Sequence, residues 1–287
     1  MYSVYSYNTD DLKRMPPRRE ESNKGDYGRL LCICGSVGMC GAAYLSAKAA
    51  YRTGTGLVKI LTPKENLIPL QTSLPEAIIT VYDSEKPDLN TVEAALEWAD
   101  AVVIGCGLGR TQASRAMVSH VIKNCNKPTV VDADALNIIS SHPVLKKYLK
   151  DKIITPHTLE MSRLTEMSPS EITENAEKVA MRFSEKYGAV CVLKRHRTVF
   201  AAGDGEIYIN QSGNSGMATA GSGDVLAGII GGILAQNKEN GLSTKNAAAL
   251  GVYIHGLAGD AAAETLGEYS LMAGDIVDYL PSVLKKI

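Results

Sequence analysis

Residues 210–236 read NQSGNSGMATAGSGDVLAGIIGGILAQ, and the change of character at residue 224 decides the fold. The first half, through Gly223, carries four glycines and several small hydroxyl residues. From Asp224 onward, Val225, Leu226, Ile229, Ile230, Ile233 and Leu234 recur at the spacing of one buried helical stripe. A glycine-rich loop therefore feeds a helix N-terminus. The first amides of a helix have no internal partner and stand at the positive end of its dipole, so such a loop lets an anion reach them. Gly221, Ser222 and Gly223 form the predicted phosphate seat. Asp224 then puts a carboxylate where a phosphate should lie. Favourable charge with the helix dipole would explain an isolated Gly-Asp. A base that takes a proton from a hydroxyl attacking the phosphoryl group also explains it, and the long glycine approach favours that reading.

Outward from this stretch, strands and helices alternate. Short apolar runs at 29–35, 57–61, 77–81, 101–104, 129–131, 152–155, 189–193, 198–202 and 206–209 read as strands. Helices are predicted at 38–52, 91–98, 171–187, 244–266 and 270–284. Such alternation marks an α/β protein with a mostly parallel central sheet and helices on both faces. Several strands end in loops suited to ligands. Gly41-Ala42-Ala43 permits close approach of a ligand, or equally tight packing of helix on sheet. Residues 105–110, GCGLGR, resemble a dinucleotide fingerprint, but the third glycine of G-x-G-x-x-G falls at Arg110. The loop is kept as site wall. Asp132 and Asp134 could serve a metal-bound nucleotide or cap the next helix. His157 occupies the same strand-end position, and Lys194-Arg195-His196-Arg197 is either an exposed turn or a contact for nucleotide phosphate.

The 287 residues fit one large unit, with residues 1–24 as a polar lead-in arm whose charge run, Arg18-Arg19-Glu20-Glu21, reads as solvated. Thirty basic and thirty-one acidic residues leave a net charge of −1. That excludes a field able to hold nucleic acid or an anionic membrane, so an anionic ligand must be held locally. Six cysteines without C-x-x-C or zinc-finger spacing read as buried small hydrophobes in a reducing compartment. With no apolar signal core and no run long enough to span a membrane, the expected location is the cytoplasm. The chain contains no G-x-x-x-x-G-K-[ST], H-E-x-x-H or G-x-S-x-G, which removes P-loop NTPases, zincins and α/β-hydrolases.

Taken in order, the loops at 41–43, 105–109, 132–137, 155–160, 194–198 and 221–228 resemble the ribokinase-like superfamily. Within it, the set is similar to the ADP/ATP-dependent NAD(P)H-hydrate dehydratases. The resemblance implies a three-layer ribokinase-like fold and a lyase reaction. NADH or NADPH carrying a ring hydroxyl would be phosphorylated by ADP or ATP and would then eliminate phosphate. By resemblance, Asp224 is the base, and the hydrate contacts are Ala43 or its neighbour Ala42, Gly107, His157 and Asp224. The adenine nucleotide contacts are Lys194, Arg195, His196, Arg197, Thr198 and Gly223, with Gly221 and Ser222 completing the anion seat. Cys34 and Cys106 depart from the usual Gly and Pro of their loops, and Thr158-Leu159 from a common Pro-Gly. Magnesium is expected from phosphoryl chemistry, not from a visible ligand set. The resemblance also implies a homotetramer. Many relatives carry a fused epimerase domain; no room for one is expected here, so the epimerase would be a separate protein. Two other readings compete. One is a kinase of a vitamin precursor of the hydroxyethylthiazole or hydroxymethylpyrimidine type, which would leave a stable phosphorylated product. The other is a nucleotide-binding regulator without turnover, for which a carboxylate facing phosphate has no use.

Overall fold

The structure is a computed structural model that describes residues 3–85, 87–237, 241–285 and 287. Its strands are β1 (Ser3–Tyr5), β2 (Arg29–Ile33), β3 (Leu57–Pro63), β4 (Ile78–Tyr82), β5 (Ala101–Ile104), β6 (Thr129–Val131), β7 (Ile153–Ile154), β8 (Val190–Leu193), β9 (Val199–Ala201) and β10 (Glu206–Ile209). The helices are α1 (Cys40–Thr53), α2 (Leu67–Ser73), α3 (Leu89–Trp98), α4 (Gln112–Asn124), α5 (Asp134–Ser141), α6 (Thr158–Thr165), α7 (Pro169–Glu174), α8 (Ala176–Tyr187), α9 (Ser222–Gln236), α10 (Thr244–Leu266) and α11 (Ala273–Leu284). All the strands join one sheet in the order β1-β10-β9-β8-β7-β6-β5-β2-β3-β4. Among the described strands only β9 runs antiparallel to its neighbours.

Period-two alternation divides the sheet's side chains between two cores. Leu30, Cys32, Val58, Ile60 and Val103 face the layer of α1, α9, α10 and α11. Leu31, Ile33, Leu61, Val102 and Ile104 face the layer of α3, α4, α5, α6 and α8. The resulting architecture is helix, sheet, helix, as expected from the alternation of elements.

α9 is more deeply set than a single apolar stripe implies. Every residue from Val225 to Gln236 is buried, because α1 lies on one flank, α10 on another and the sheet beneath. Gly228 is one reason the approach is possible: a Cβ there would lie 2.1 Å from the Ser46 carbonyl oxygen of α1.

Two expectations change. The predicted helix over 171–187 is two helices, broken at Asn175 (φ −127, ψ 32). The lead-in arm is not solvated throughout: β1 pairs in parallel with β10, and Leu12, on a 3-10 turn at Thr9–Arg14, is buried. Tyr7 packs edge-on against Tyr208 with ring centroids 4.9 Å apart. Hydrophobic contact holds the arm, while its charged run at 18–21 stays exposed; residues 1 and 2 lie outside the described residues. No helix among those described is long and apolar enough to cross a membrane.

Candidate active site

The chain lays down β2, β3 and β4 in one direction across the sheet, then returns to place β5 on the other side of β2. The loops after β2 and β5 therefore diverge, and a crevice opens at their carboxyl ends, where open α/β sheets bind ligands. Gly35 N donates to Cys106 O at 2.8 Å, tying the two loops together at their roots. Gly107 has φ +59, and a Cβ there would lie 2.7 Å from the Ala42 Cβ. The glycine loop can rest on the start of α1 only without a side chain at that position.

Asp224 stands in the first turn of α9. Gly221, the residue before the helix, has φ 91 and ψ −13 and supplies no side-chain cap. A Cβ on Gly221 would be 2.5 Å from the Leu45 Cδ1. The Ser222 amide is occupied by the Thr219 carbonyl at 3.3 Å. The amides of Gly221, Gly223 and Asp224 have no acceptor among the described residues, so three donors of the predicted seat remain open to an anion. Burial, and next the neighbouring Asp132 carboxylate, push the Asp224 carboxyl up to about 6, against opposing pulls from the Cys106 thiol and the Lys194 ammonium. A carboxylate with that affinity for protons is suited to general-base work near neutral pH.

Beside it lies a buried ion pair. Asp132 Oδ1 accepts from Lys194 Nζ at 2.6 Å and from Thr155 Oγ1 at 2.7 Å. Burial pulls the Lys194 ammonium down, but the Asp132 and Glu160 carboxylates outweigh it and hold the group above its ordinary range. The turn after β6 places this carboxylate: Ala135 N donates to Asp132 O at 3.1 Å, and Ala133 is held at φ 48, ψ −117. A non-glycine residue there is strained, a feature that gathers at functional sites. Cys106 Sγ donates to Asp132 Oδ2 at 3.7 Å. Ligand atoms of Cys106, Asp132 and Asp224 all lie within 4.8 Å of one another.

His157 caps α6. Its Nδ1 accepts from the amides of Leu159 and Glu160 at 3.1 and 3.4 Å, while its own amide donates to Glu160 Oε2 at 2.9 Å. Nδ1 is thus an acceptor, and the proton resides on Nε2, 3.3 Å from Glu160 Oε1. Burial and then the Lys194 charge lower its pKa, which keeps the ring neutral at pH 7. The parallel bridge between His157 and Lys194 brings their loops side by side.

These elements surround a cavity of about 700 Å³, within the range of small-molecule sites. Its walls include His157, Lys194, Arg195, His196, Thr198, Gly221, Ser222, Gly223 and Asp224. Ala42, Ala43, Gly107 and Arg197 are not in its walls. Ala43 is fully buried, Ala42 is half-buried, and Arg197 is exposed. Ala42 and Gly107 meet where the glycine loop rests on the start of α1, with Gly107 next in sequence to Cys106 of the carboxylate cluster.

The sequence reading passed over His255, whose Nε2 lies 3.4 Å from Ser222 Oγ and which burial lowers to about 4. It also passed over Asp260, which fixes the glycine loop by accepting from Gly213 N at 2.8 Å and Asn214 Nδ2 at 3.0 Å. Both lie on α10, where apolar and small neighbours hid them.

Comparison with known proteins gives a consistent result. Residues 30–282 match the family model described as NAD(P)H-hydrate dehydratase. The chain is 41% identical over 281 residues to a bifunctional NAD(P)H-hydrate repair enzyme of Moorella thermoacetica, covering 94% of this chain and 52% of that protein. It therefore spans about half the length of the first curated relatives it matches. It is 38% identical to the ADP-dependent (S)-NAD(P)H-hydrate dehydratase of Neisseria meningitidis, over 90% of this chain and 86% of that one. Among solved structures, the ADP/ATP-dependent NAD(P)H-hydrate dehydratase of Bacillus subtilis, co-crystallized with ATP and Mg2+, superposes with a TM-score of 0.80. That protein is 28% identical, with 97% of this chain and 96% of that one covered.

Proposed function

The chain belongs to the NAD(P)H-hydrate dehydratase family, and from that premise we propose that it restores hydrated NADH or NADPH by nucleotide-dependent dehydration. The observation that carries the proposal is Asp224: a carboxyl pushed up to about 6 stands beside open helix N-terminal amides.

The ring hydroxyl of the hydrate is a poor leaving group until it is phosphorylated. Asp224 accepts the hydroxyl proton as its oxygen forms a bond to the terminal phosphorus of ADP or ATP. The phosphoanhydride bond breaks, and AMP or ADP departs. The amides of Gly221, Gly223 and Asp224 stabilise the charge on the transferring group. The ring nitrogen lone pair then expels phosphate with the C–O bonding pair, and loss of a ring proton restores the reduced nicotinamide. Lys194, Arg195, His196 and Thr198 take the nucleotide, and Gly107 and His157, with Ala42 in place of the fully buried Ala43, take the hydrate.

Among the described residues Asp132 Oδ2 accepts only a weak thiol hydrogen bond and, together with nucleotide oxygens, fits magnesium, which binds through one or two carboxylates and phosphates. When bound, the ion neutralises phosphate charge. The protein works in the cytoplasm as a homotetramer, with these 287 residues as one catalytic unit. The test is the fate of an oxygen label in the ring hydroxyl. Label in inorganic phosphate supports the reaction; label in water shows direct dehydration and removes the phosphoryl step.

A further inference from the structure

A second cavity, of about 420 Å³, opens on the flank of the crevice between α4, α5 and α6. Its polar walls are Arg110, Arg115, Asn137, Ser140, Ser141 and Arg163, with no carboxylate among its lining residues. The three guanidinium groups come from separate elements. Arg163 Nη1 donates to Asn137 Oδ1 at 2.7 Å, which aims the guanidinium and leaves its other donors available. Arg110 Nε is 3.9 Å from Asp134 Oδ1, and that carboxylate also accepts from Gly109 N at 2.8 Å. The Arg115 guanidinium has no hydrogen bond or ion pair among the described residues. In a chain of net charge −1, three arginines and two hydroxyls, against the single Asp134 carboxylate 3.9 Å from Arg110, form a local excess of donors suited to phosphate oxygens.

The position of this cavity relative to the reacting centre limits what it can serve. Arg110 stands three residues after Gly107 on the same loop, and Arg163 six residues after His157, about 9 Å along the helix. The Arg163 charge is felt by both His157 and Glu160. The two cavities are separated by the turn after β6: Ala133 lines the first, and Asn137, whose amide donates to Ala133 O at 3.1 Å, lines the second. Lys194, Arg195, His196 and Thr198, assigned to the nucleotide, line the first cavity and not the second. We propose that Arg110, Arg115 and Arg163 form an anion subsite for a phosphate of the dinucleotide substrate, whose hydrated ring lies across Gly107 and His157 at Asp224. The inference rests on the function proposed above. The phosphate is either the bridging diphosphate, common to both hydrates, or the additional phosphate on the adenine ribose of NADPH hydrate.

The test compares the parent with Arg115→Gln and with the double variant Arg115→Gln/Arg163→Gln. Steady-state kinetics are run on NADH hydrate and NADPH hydrate at saturating ADP. The double variant is expected to raise KM for hydrate by about tenfold or more, the scale of a lost charge-assisted hydrogen bond, without moving KM for ADP. An increase confined to NADPH hydrate identifies the ribose phosphate, and an equal increase for both identifies the diphosphate. KM values for both hydrates within about twofold of the parent, in a variant of unchanged Tm, overturn the subsite. Inorganic pyrophosphate titrated calorimetrically into both proteins decides the matter independently of turnover: the double variant should lack one of the parent's binding events, and identical isotherms would overturn the proposal. A parent that restores neither hydrate but loses a pyrophosphate site on mutation would refute the function and keep the anion site.

Discussion

Replacing Asp224 with Asn separates the catalytic role of the carboxyl from its effect on stability. Burial and the Asp132 charge raise this group from 3.8 to about 6. Holding it ionised in the folded state therefore costs roughly 3 kcal/mol, at 1.36 kcal/mol for each pH unit. Because the folded value lies above the unfolded one, that cost is complete above about pH 6, shrinks as the pH falls toward 3.8, and is absent below it. Asn has nothing to ionise. At roughly 2 °C per kcal/mol for a domain of this size, the variant should melt about 6 °C higher than the parent at pH 8, with the difference closing as the pH approaches 4. Turnover should meanwhile fall by about 10² to 10⁴, the usual contribution of a general base, while calorimetric binding of ADP is retained. In the parent, kcat/KM should decline as the pH falls through about 6, as the base takes up a proton. A melting temperature at pH 8 equal to or below the parent's would contradict the desolvated environment. Retained turnover would remove Asp224 as the base, whatever the stability shows.

Lys194→Met leaves the Asp132 carboxylate buried without its cation and should destabilise the protein by about 3 kcal/mol in urea. The additional change Asp132→Asn should recover part of that loss, and the double-mutant cycle measures how much. His157→Ala removes the α6 cap and should cost about 1 kcal/mol, whereas His157→Asn, which can accept the same amides, should melt close to the parent. If His157 also touches substrate, both variants raise KM for hydrate, and the Asn form then isolates the binding effect from the structural one.

Much of this architecture could be read from the chain because its signals are local. The switch from glycines to a 3.6-residue apolar period at Asp224 marked both α9 and the open amides beside it. The short runs at 101–104 and 129–131 were strands whose ends carried Gly107 and Asp132. What escaped depended on tertiary contacts. α4 and α6 were passed over as elements, though Arg115 and Arg163 on them define a second cavity. Asn175 breaks a helix where the apolar pattern runs on. The arm looked polar by composition, yet Tyr7 and Leu12 are held by packing that no local pattern reveals. His255 and Asp260 sit among alanines and glycines on α10, and only the folding of the glycine loop onto that helix gives them partners. The Lys194–Asp132 pair joins residues far apart in sequence, so its existence, and its consequence for Asp224, required the fold.

The most direct test of the central claim follows the return of reduced-nicotinamide absorbance when purified protein meets NADH hydrate and magnesium, with ADP, with ATP and without nucleotide. The account predicts recovery only with nucleotide, one inorganic phosphate released for each NADH restored, and the better donor identified by the faster trace. Recovery without nucleotide, or no recovery with either donor while a stable phosphorylated product accumulates from a vitamin precursor, would contradict it.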